Sequence, residues 1–91
     1  SFGESKHVGL PGEVIQGELT VNEIKWVDKF GCHVINGNMD NNLVSFFKEF
    51  KPEAVLPKEK DVIKIKAKVK RHGENFITKL PETQLNYVRF G

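Results

Sequence analysis

The chain has 91 residues, a net charge of +2 and a single cysteine, Cys32. This length provides one modest core and leaves no room for a second large domain. One cysteine excludes an internal disulfide, and no apolar run approaches the roughly 18 residues of a membrane span. We therefore expect one domain, without a membrane partner, in a reducing and cytoplasmic compartment.

Residues 1–12 are predicted to form an irregular lead-in, because Gly9, Pro11 and Gly12 interrupt any regular element. The chain begins with Ser rather than Met. We therefore expect its first residues to include a remnant of an expression tag and the whole to be a domain of a longer protein. Residues 13–91 are predicted to form a single domain.

Three strands are predicted in the first half of the domain. "EVIQGELTVNEIKWVDK" alternates Leu19 and Val21 with polar residues and is rich in β-formers, which indicates a long first strand. Gly17 predicts a bulge or bend in this strand, and Gly37 predicts a bulge in the second. The expected segments are a turn at 28–31, a strand at 32–39, a hairpin turn at 40–42 and a strand at 43–50.

The second half adds two strands. Pro52 and Pro57 leave room for about one helical turn in "KPEAVLPKEKD". A lysine-rich fourth strand follows, with its tip at residues 72–75. The last strand is predicted at residues 83–90, after Pro81 breaks an extended segment. Amphipathic helical stretches of ten or more residues are absent from the sequence, so the domain is predicted to be all-β.

The predicted fold is a small five-stranded OB-type barrel. Three meandering strands, a short connection and two further strands match that architecture. An SH3-like barrel is the alternative, because its length and number of strands are similar. The OB type is favoured because the first strand is long and interrupted, and because about ten residues separate the third strand from the fourth.

The fourth strand carries the most distinctive pattern. In "DVIKIKAKVKRHGENF" lysines occupy every second position, with apolar residues between them. On a strand, alternate residues point to one face, about 6.5–7 Å apart. Residues 58–71 hold seven basic and two acidic side chains, whereas residues 1–57 hold five basic and eight acidic. The basic charge is therefore local, and its predicted ladder consists of Lys64, Lys66, Lys68 and Lys70, continued by Arg71 and His72.

Two interpretations of this ladder remain open. Exposed lysines protect a strand against unwanted pairing, and acidic residues on adjacent strands, such as Glu18 or Glu23, can neutralise them internally. Four adjacent outward cations repel one another, however, which favours an external polyanion as their partner.

Aromatic residues would complete a surface for single-stranded nucleic acid, because bases stack on exposed rings beside a basic groove. Phe46 and Phe47 are neighbours, so one of them faces outwards; we assign Phe46, together with Lys48, to the outer face. Tyr87 is a further candidate ring. The remaining predicted contacts are Trp26 at the end of the first strand and Lys29, His72 and Lys79 in the flanking loops.

A catalytic function is not predicted. Cys32 and His33 are adjacent on a strand and therefore point to opposite faces, which prevents a Cys–His nucleophilic pair between them. The three histidines and one cysteine lack metal-ligand spacing, and the acidic residues are scattered singly. We expect neither an enzyme nor a bound metal or cofactor, and interpret Cys32 as a small buried apolar residue.

A set of single positions runs through these segments: a Gly that ends the first turn, Asp and Asn in the hairpin, an aromatic on the third strand, "VK-x-H" at the end of the fourth and "T-x-L" in the last. These positions are Gly31, Asp40, Asn42, Phe47, Val69, Lys70, His72, Thr83 and Leu85. Their order resembles a short OB-type domain that recurs in phage and plasmid proteins, over roughly residues 8–90, but the hairpin tip is "DNN" instead of glycine-rich and the third strand lacks a Trp. The resemblance implies contact with DNA in replication or in mobile elements.

The sequence therefore predicts a nucleic-acid-binding module that acts in the cytoplasm of a bacterial host. Single-stranded DNA, bound with little sequence specificity, is the favoured partner. The alternative is a protein-interaction or assembly domain of a larger phage or replication protein, with an acidic partner on the lysine face and a partner strand on an exposed edge.

Overall fold

A computed structural model describes residues 4–91. The tag remnant expected at the start of the chain falls partly on residues 1–3, which lie outside the described residues. Within the described part, five strands form one sheet. They are β1 (Val14–Val27), β2 (Cys32–Met39), β3 (Asn42–Lys48), β4 (Val62–Glu74) and β5 (Pro81–Phe90), with a single 3-10 turn (Asp28–Phe30) between β1 and β2.

The sheet closes into a barrel in the order β1–β2–β3–β5–β4, with β4 pairing back onto β1. β1 is long enough to pair with β4 over its first half and with β2 over its second half. The contact between β3 and β5 is short and parallel, and every other pair is antiparallel. The structure thus confirms the predicted all-β class and agrees with a small OB-type barrel.

The core fills the inside of the barrel with side chains from all five strands. Leu19, Ile35 and Phe46 are among its fully buried members. β4 contributes the apolar residues that alternate with its lysines. The core consists of Leu19, Val21, Ile35, Met39, Val44, Phe46, Ile65, Ala67, Val69, Leu85 and Val88.

The first two strands approach each other closely at Gly37. A Cβ placed there would lie 2.5 Å from the carbonyl oxygen of Thr20 and 2.6 Å from Leu19 Cδ1. The register between β1 and β2 shifts at this point, and the extra residue is Asn22 on β1. A bulge is therefore present beside Gly37, but it lies on β1 and not on β2 as predicted. Of the bulge or bend predicted at Gly17, the bulge is absent, because the β1–β4 register runs through Gly17 without a shift.

The tip after the fourth strand is predicted at residues 72–75, but β4 continues to Glu74. His72 pairs with Thr83 and Gly73 with Glu82, so the turn lies at residues 75–80. The side chain of Asn75 closes this turn by accepting hydrogen bonds from two backbone N–H groups. β5 begins at Pro81, the first position of a strand, where a proline costs no ladder hydrogen bond.

The irregular lead-in packs against the end of the barrel. Ser5 is buried; its hydroxyl donates to the carbonyl of Pro81 at 2.7 Å and accepts the N–H of Leu43 at 2.9 Å. The N–H of Val8 donates to Thr83 Oγ1 at 2.8 Å. The lead-in therefore covers the start of β3 and β5.

Candidate functional site

The lysines of β4 all point outwards. Ile65, Ala67 and Val69 are almost completely buried, and the lysines between them are exposed. This alternation is what the sequence predicts for a strand with one face on the core and one face in water. We call the four outward lysines of β4, together with Arg89 of β5, the basic strip: Lys64, Lys66, Lys68, Lys70 and Arg89.

Arg89 joins the strip through the register of the sheet. It pairs directly across from Lys66, so two like charges face each other on neighbouring strands. Such a pair is destabilising unless something compensates it. Sequence reasoning missed Arg89 because only the pairing of β4 with β5 places it there.

The strand on the other side offers little neutralisation. Glu18 lies opposite Lys64, but Gln16 is opposite Lys66 and Val14 is opposite Lys68. Glu23, the second expected neutraliser, pairs with Asn36 of β2 beyond the bulge. Within residues 4–91 the single ion pair within 4 Å joins Lys25 to Glu23, at 3.6 Å. Among residues 4–91 the central cations of the strip are thus left without an acidic partner.

An open depression of about 590 Å³ lies in the strip. Lys64, Lys66 and Arg89 line it together with Gln16 and Glu18. Three cations around one depression favour an anionic ligand.

Tyr87 adds an aromatic ring beside these cations. Two residues of β5, Tyr87 and Val88, lie opposite the single residue Ala67, which makes this a bulge. Val88 is buried and Tyr87 is 80% exposed. Tyr87 has a φ of 52°. Left-handed backbone costs a bulky residue about 1–2 kcal/mol, so the bulge holds this ring in solvent against a local preference.

The assignment of Phe46 to the outer face is wrong. Phe46 is fully buried, whereas Phe47 is 44% exposed. Lys48 does share a face with Phe46, but both point inwards. The ammonium of Lys48 donates to the carbonyl of Val88 at 2.8 Å and lies 5.0 Å from the centre of the Phe90 ring. It caps the open end of the barrel core and is committed to the fold.

Trp26 and Lys29 are exposed but lie away from the strip. Trp26 packs edge-on against His33, at 5.2 Å between ring centres, and its indole N–H donates weakly to Asp28 at 3.4 Å. Along β1, Trp26 comes ten residues after Gln16, which lies beside the strip. Ten residues of extended strand correspond to about 33 Å of chain. Lys29 lies over the ring of Phe30, at 5.6 Å from its centre.

A second surface is formed by the rings of Phe30 and Phe47. They meet edge to face with their centres 5.5 Å apart. Phe47 and Arg71 line a separate depression of about 330 Å³, which shares no lining residue with that of the strip. Since β5 lies between β3 and β4, these rings are on a different side of the barrel.

The remaining predicted contacts are dispersed. A bulge at Lys70 turns Arg71 towards Gln84, whose side-chain oxygen accepts from Arg71 Nε at 2.7 Å. His72 Nε2 lies 2.8 Å from the carbonyl of Gly9, and its ring stacks on His7. Lys79 lies over Phe76 in the β4–β5 turn. The structure therefore groups the lysines of β4 but separates them from the loop residues.

Three further features bear on metal binding, thiol chemistry and membrane insertion. Among residues 4–91 no three His, Cys, Asp or Glu side chains are grouped to hold a metal ion. Cys32 is buried with a free thiol, as predicted. None of the helices in the described part of the chain is long and apolar enough to cross a membrane.

Comparison with known proteins gives no further guide to this surface. No protein-family model matches the sequence, and the searches of curated proteins and of solved structures return no match.

Proposed function

We propose that this domain binds nucleic acid along the basic strip, with single-stranded DNA as the favoured partner and little sequence specificity. The observation that carries the proposal is the set of uncompensated cations, and above all the direct pairing of Lys66 with Arg89. Phosphates of an extended strand would neutralise this repulsion. The spacing of the lysines, about 6.5–7 Å, suits one phosphate for each cation.

The mechanism is electrostatic. Each contacted phosphate releases a condensed counterion, so affinity falls as salt rises. Contacts of this kind do not distinguish base sequences, since phosphates are the same at every position. Lys66 and Lys68 have no acidic partner in the described part of the chain, so these two lysines form the centre of the contact.

Charge reversal tests this role. The variant Lys66→Glu/Lys68→Glu changes only exposed side chains and should leave the fold intact. Affinity would be measured by fluorescence anisotropy with a labelled mixed-sequence single strand. The matched control is Lys51→Glu/Lys58→Glu, which changes the net charge equally but in the exposed connection between β3 and β4. We expect the first variant to lose binding and the control to retain most of it. Equal losses of affinity in both variants would show that only the net charge matters, and would contradict a defined interface on the strip.

A protein-interaction domain is the second candidate, favoured by the exposed rings of Phe30 and Phe47. Strand addition is disfavoured for such a domain, because a closed barrel removes free edges. A stable homodimer whose strip lysines resist chemical acetylation would favour this candidate over nucleic-acid binding.

A further inference from the structure

The ring of Tyr87 has no evident use in the fold. It is 80% exposed, and among residues 4–91 it takes part in no aromatic pair and its hydroxyl in no hydrogen bond. Its backbone has a positive φ of 52°, which glycine or asparagine adopts far more readily. Stability alone would therefore favour another residue at this position.

The position of the ring relates it to the basic strip. Ala67, opposite the bulge, lies between Lys66 and Lys68 on β4. On β5, Arg89 follows Tyr87 by two residues. By the register of the sheet, the strip positions Lys66, Lys68 and Arg89 therefore flank Tyr87 on the outer surface. Exposed rings interleaved with cations are the arrangement that holds single strands, with cations on phosphates and rings on base faces.

We infer that Tyr87 is the stacking residue of the basic strip and gives it a preference for single strands over duplexes. The inference rests on the proposed nucleic-acid binding. A single strand offers unpaired bases whose faces can cover the ring. A duplex keeps its bases stacked on one another, so it offers the strip phosphates only and gains nothing from Tyr87.

The test uses two substitutions at this one position. Tyr87→Gly removes the ring and suits the left-handed backbone, so the bulge should persist. Tyr87→Phe retains the ring and removes only the hydroxyl. Trp26→Ala is the control, since it deletes an exposed ring away from the strip. Affinities would be measured for a labelled single strand of about 12 nucleotides, within the usual site sizes, and for the duplex of the same sequence.

We expect Tyr87→Gly to weaken single-strand binding by roughly 5- to 100-fold, the range for loss of one stacked base. Duplex binding should be unchanged, and both Tyr87→Phe and Trp26→Ala should behave like the wild type. A fluorescent adenine analogue in the oligonucleotide should be quenched by the wild type and not by Tyr87→Gly, which a purely structural role of the residue would not produce.

The possible failures are distinguishable. If the wild type binds in a salt-dependent way and Tyr87→Gly binds single strands equally well, the stacking role is wrong and the electrostatic function stands. A parallel loss of single-strand and duplex affinity would also overturn the role, because the residue would then act through the fold. If the wild type binds neither nucleic acid, the proposed function and this inference are both wrong.

Discussion

Neighbouring phenylalanines on β3 have opposite surroundings. Phe46 packs among the core residues, and Phe47 lies outside against Phe30. The alternation of a strand requires that one of the two face outwards, but it does not say which. Leu43, on the same side as Phe47, is buried where the lead-in reaches β3 through Ser5. Lys48, on the same face as Phe46, indicated an outer face, but its ammonium donates to the carbonyl of Val88, a contact that sequence alone does not predict.

Substitution of each ring tests this orientation. Phe46→Ala should lower the free energy of unfolding by about 3–5 kcal/mol, because it removes a fully buried ring and leaves a cavity. Phe47→Ala should cost about 1 kcal/mol or less, since a partly exposed ring gives up little burial. Urea denaturation followed by circular dichroism measures both. Similar losses of unfolding free energy in the two variants would contradict the assignment of Phe46 to the core and Phe47 to the surface.

Gly37 gives a second test at the residue scale. Its missing Cβ makes room for the backbone of Thr20, so Gly37→Ala forces β1 and β2 apart. We expect a loss of about 2–3 kcal/mol in unfolding free energy, typical of overpacking. Gly73→Ala on β4 is the control, because its Cβ would lie at an ordinary 3.7 Å from the nearest atom, the carbonyl oxygen of Glu82. Should both alanines be tolerated equally, the close approach at Gly37 would be refuted.

Among the elements, β4 is the one that sequence predicts best. Its alternation arises from a simple cause, one dry face and one wet face, and the structure bears it out from Lys64 to Val69. Beyond that point a bulge at Lys70 changes the pairing, and the strand extends to Glu74. The glycine in "HGEN" suggested a turn, but Gly73 is paired within the sheet. Local turn propensity was overridden by the partner strand, which the sequence does not identify.

The candidate site shows the same limit of prediction from sequence, because the sequence does not identify which strands pair. The lysines were found from their own periodicity, whereas Arg89 and Tyr87 join them only through the register of β5. His72, Lys48 and Phe46 were assigned to the site from local pattern, but contacts with distant segments commit them to the fold. The residues that one regular strand places on the same face can be predicted from sequence. The residues that strand pairing adds to that face cannot.

The lead-in stabilises the barrel through Ser5. Its buried hydroxyl serves two backbone groups, the N–H of Leu43 and the carbonyl of Pro81. Ser5→Ala would leave both without their partner, and we expect a loss of about 1–3 kcal/mol in unfolding free energy. Thr78→Ala is the control, because its hydroxyl accepts one long, exposed bond of 3.3 Å from Leu80. Equal and negligible costs in thermal or urea unfolding would show that the lead-in does not contribute to stability.

At the scale of the whole molecule, charge is distributed unevenly. A net charge of +2 gives little attraction to a polyanion at long range. The basic strip concentrates five cations on one face of the barrel, and such a local field raises the concentration of anions near it. The proposed binding therefore depends on where the charges lie rather than on their sum.

Arg89 allows this distribution to be tested with one substitution. Arg89→Gln relieves the repulsion with Lys66 and removes one phosphate contact. We expect unchanged or slightly raised thermal stability, together with a salt slope smaller by about 0.7. Arg71→Gln, whose side chain is directed towards Gln84, should leave the slope nearly unchanged. If Arg71→Gln lowered the salt slope and Arg89→Gln did not, the phosphate contacts would lie on the side of Arg71 and not on the strip.

The most direct measurement is the salt dependence of wild-type binding to a labelled mixed-sequence single strand. Four or five phosphate contacts predict that log affinity falls against log salt with a slope of roughly −3, from about 0.7 per contacted charge. That slope would establish the strip as an electrostatic interface of the expected size. Binding with a flat salt response, or no binding even at low salt, would contradict the central claim that these cations bind nucleic acid.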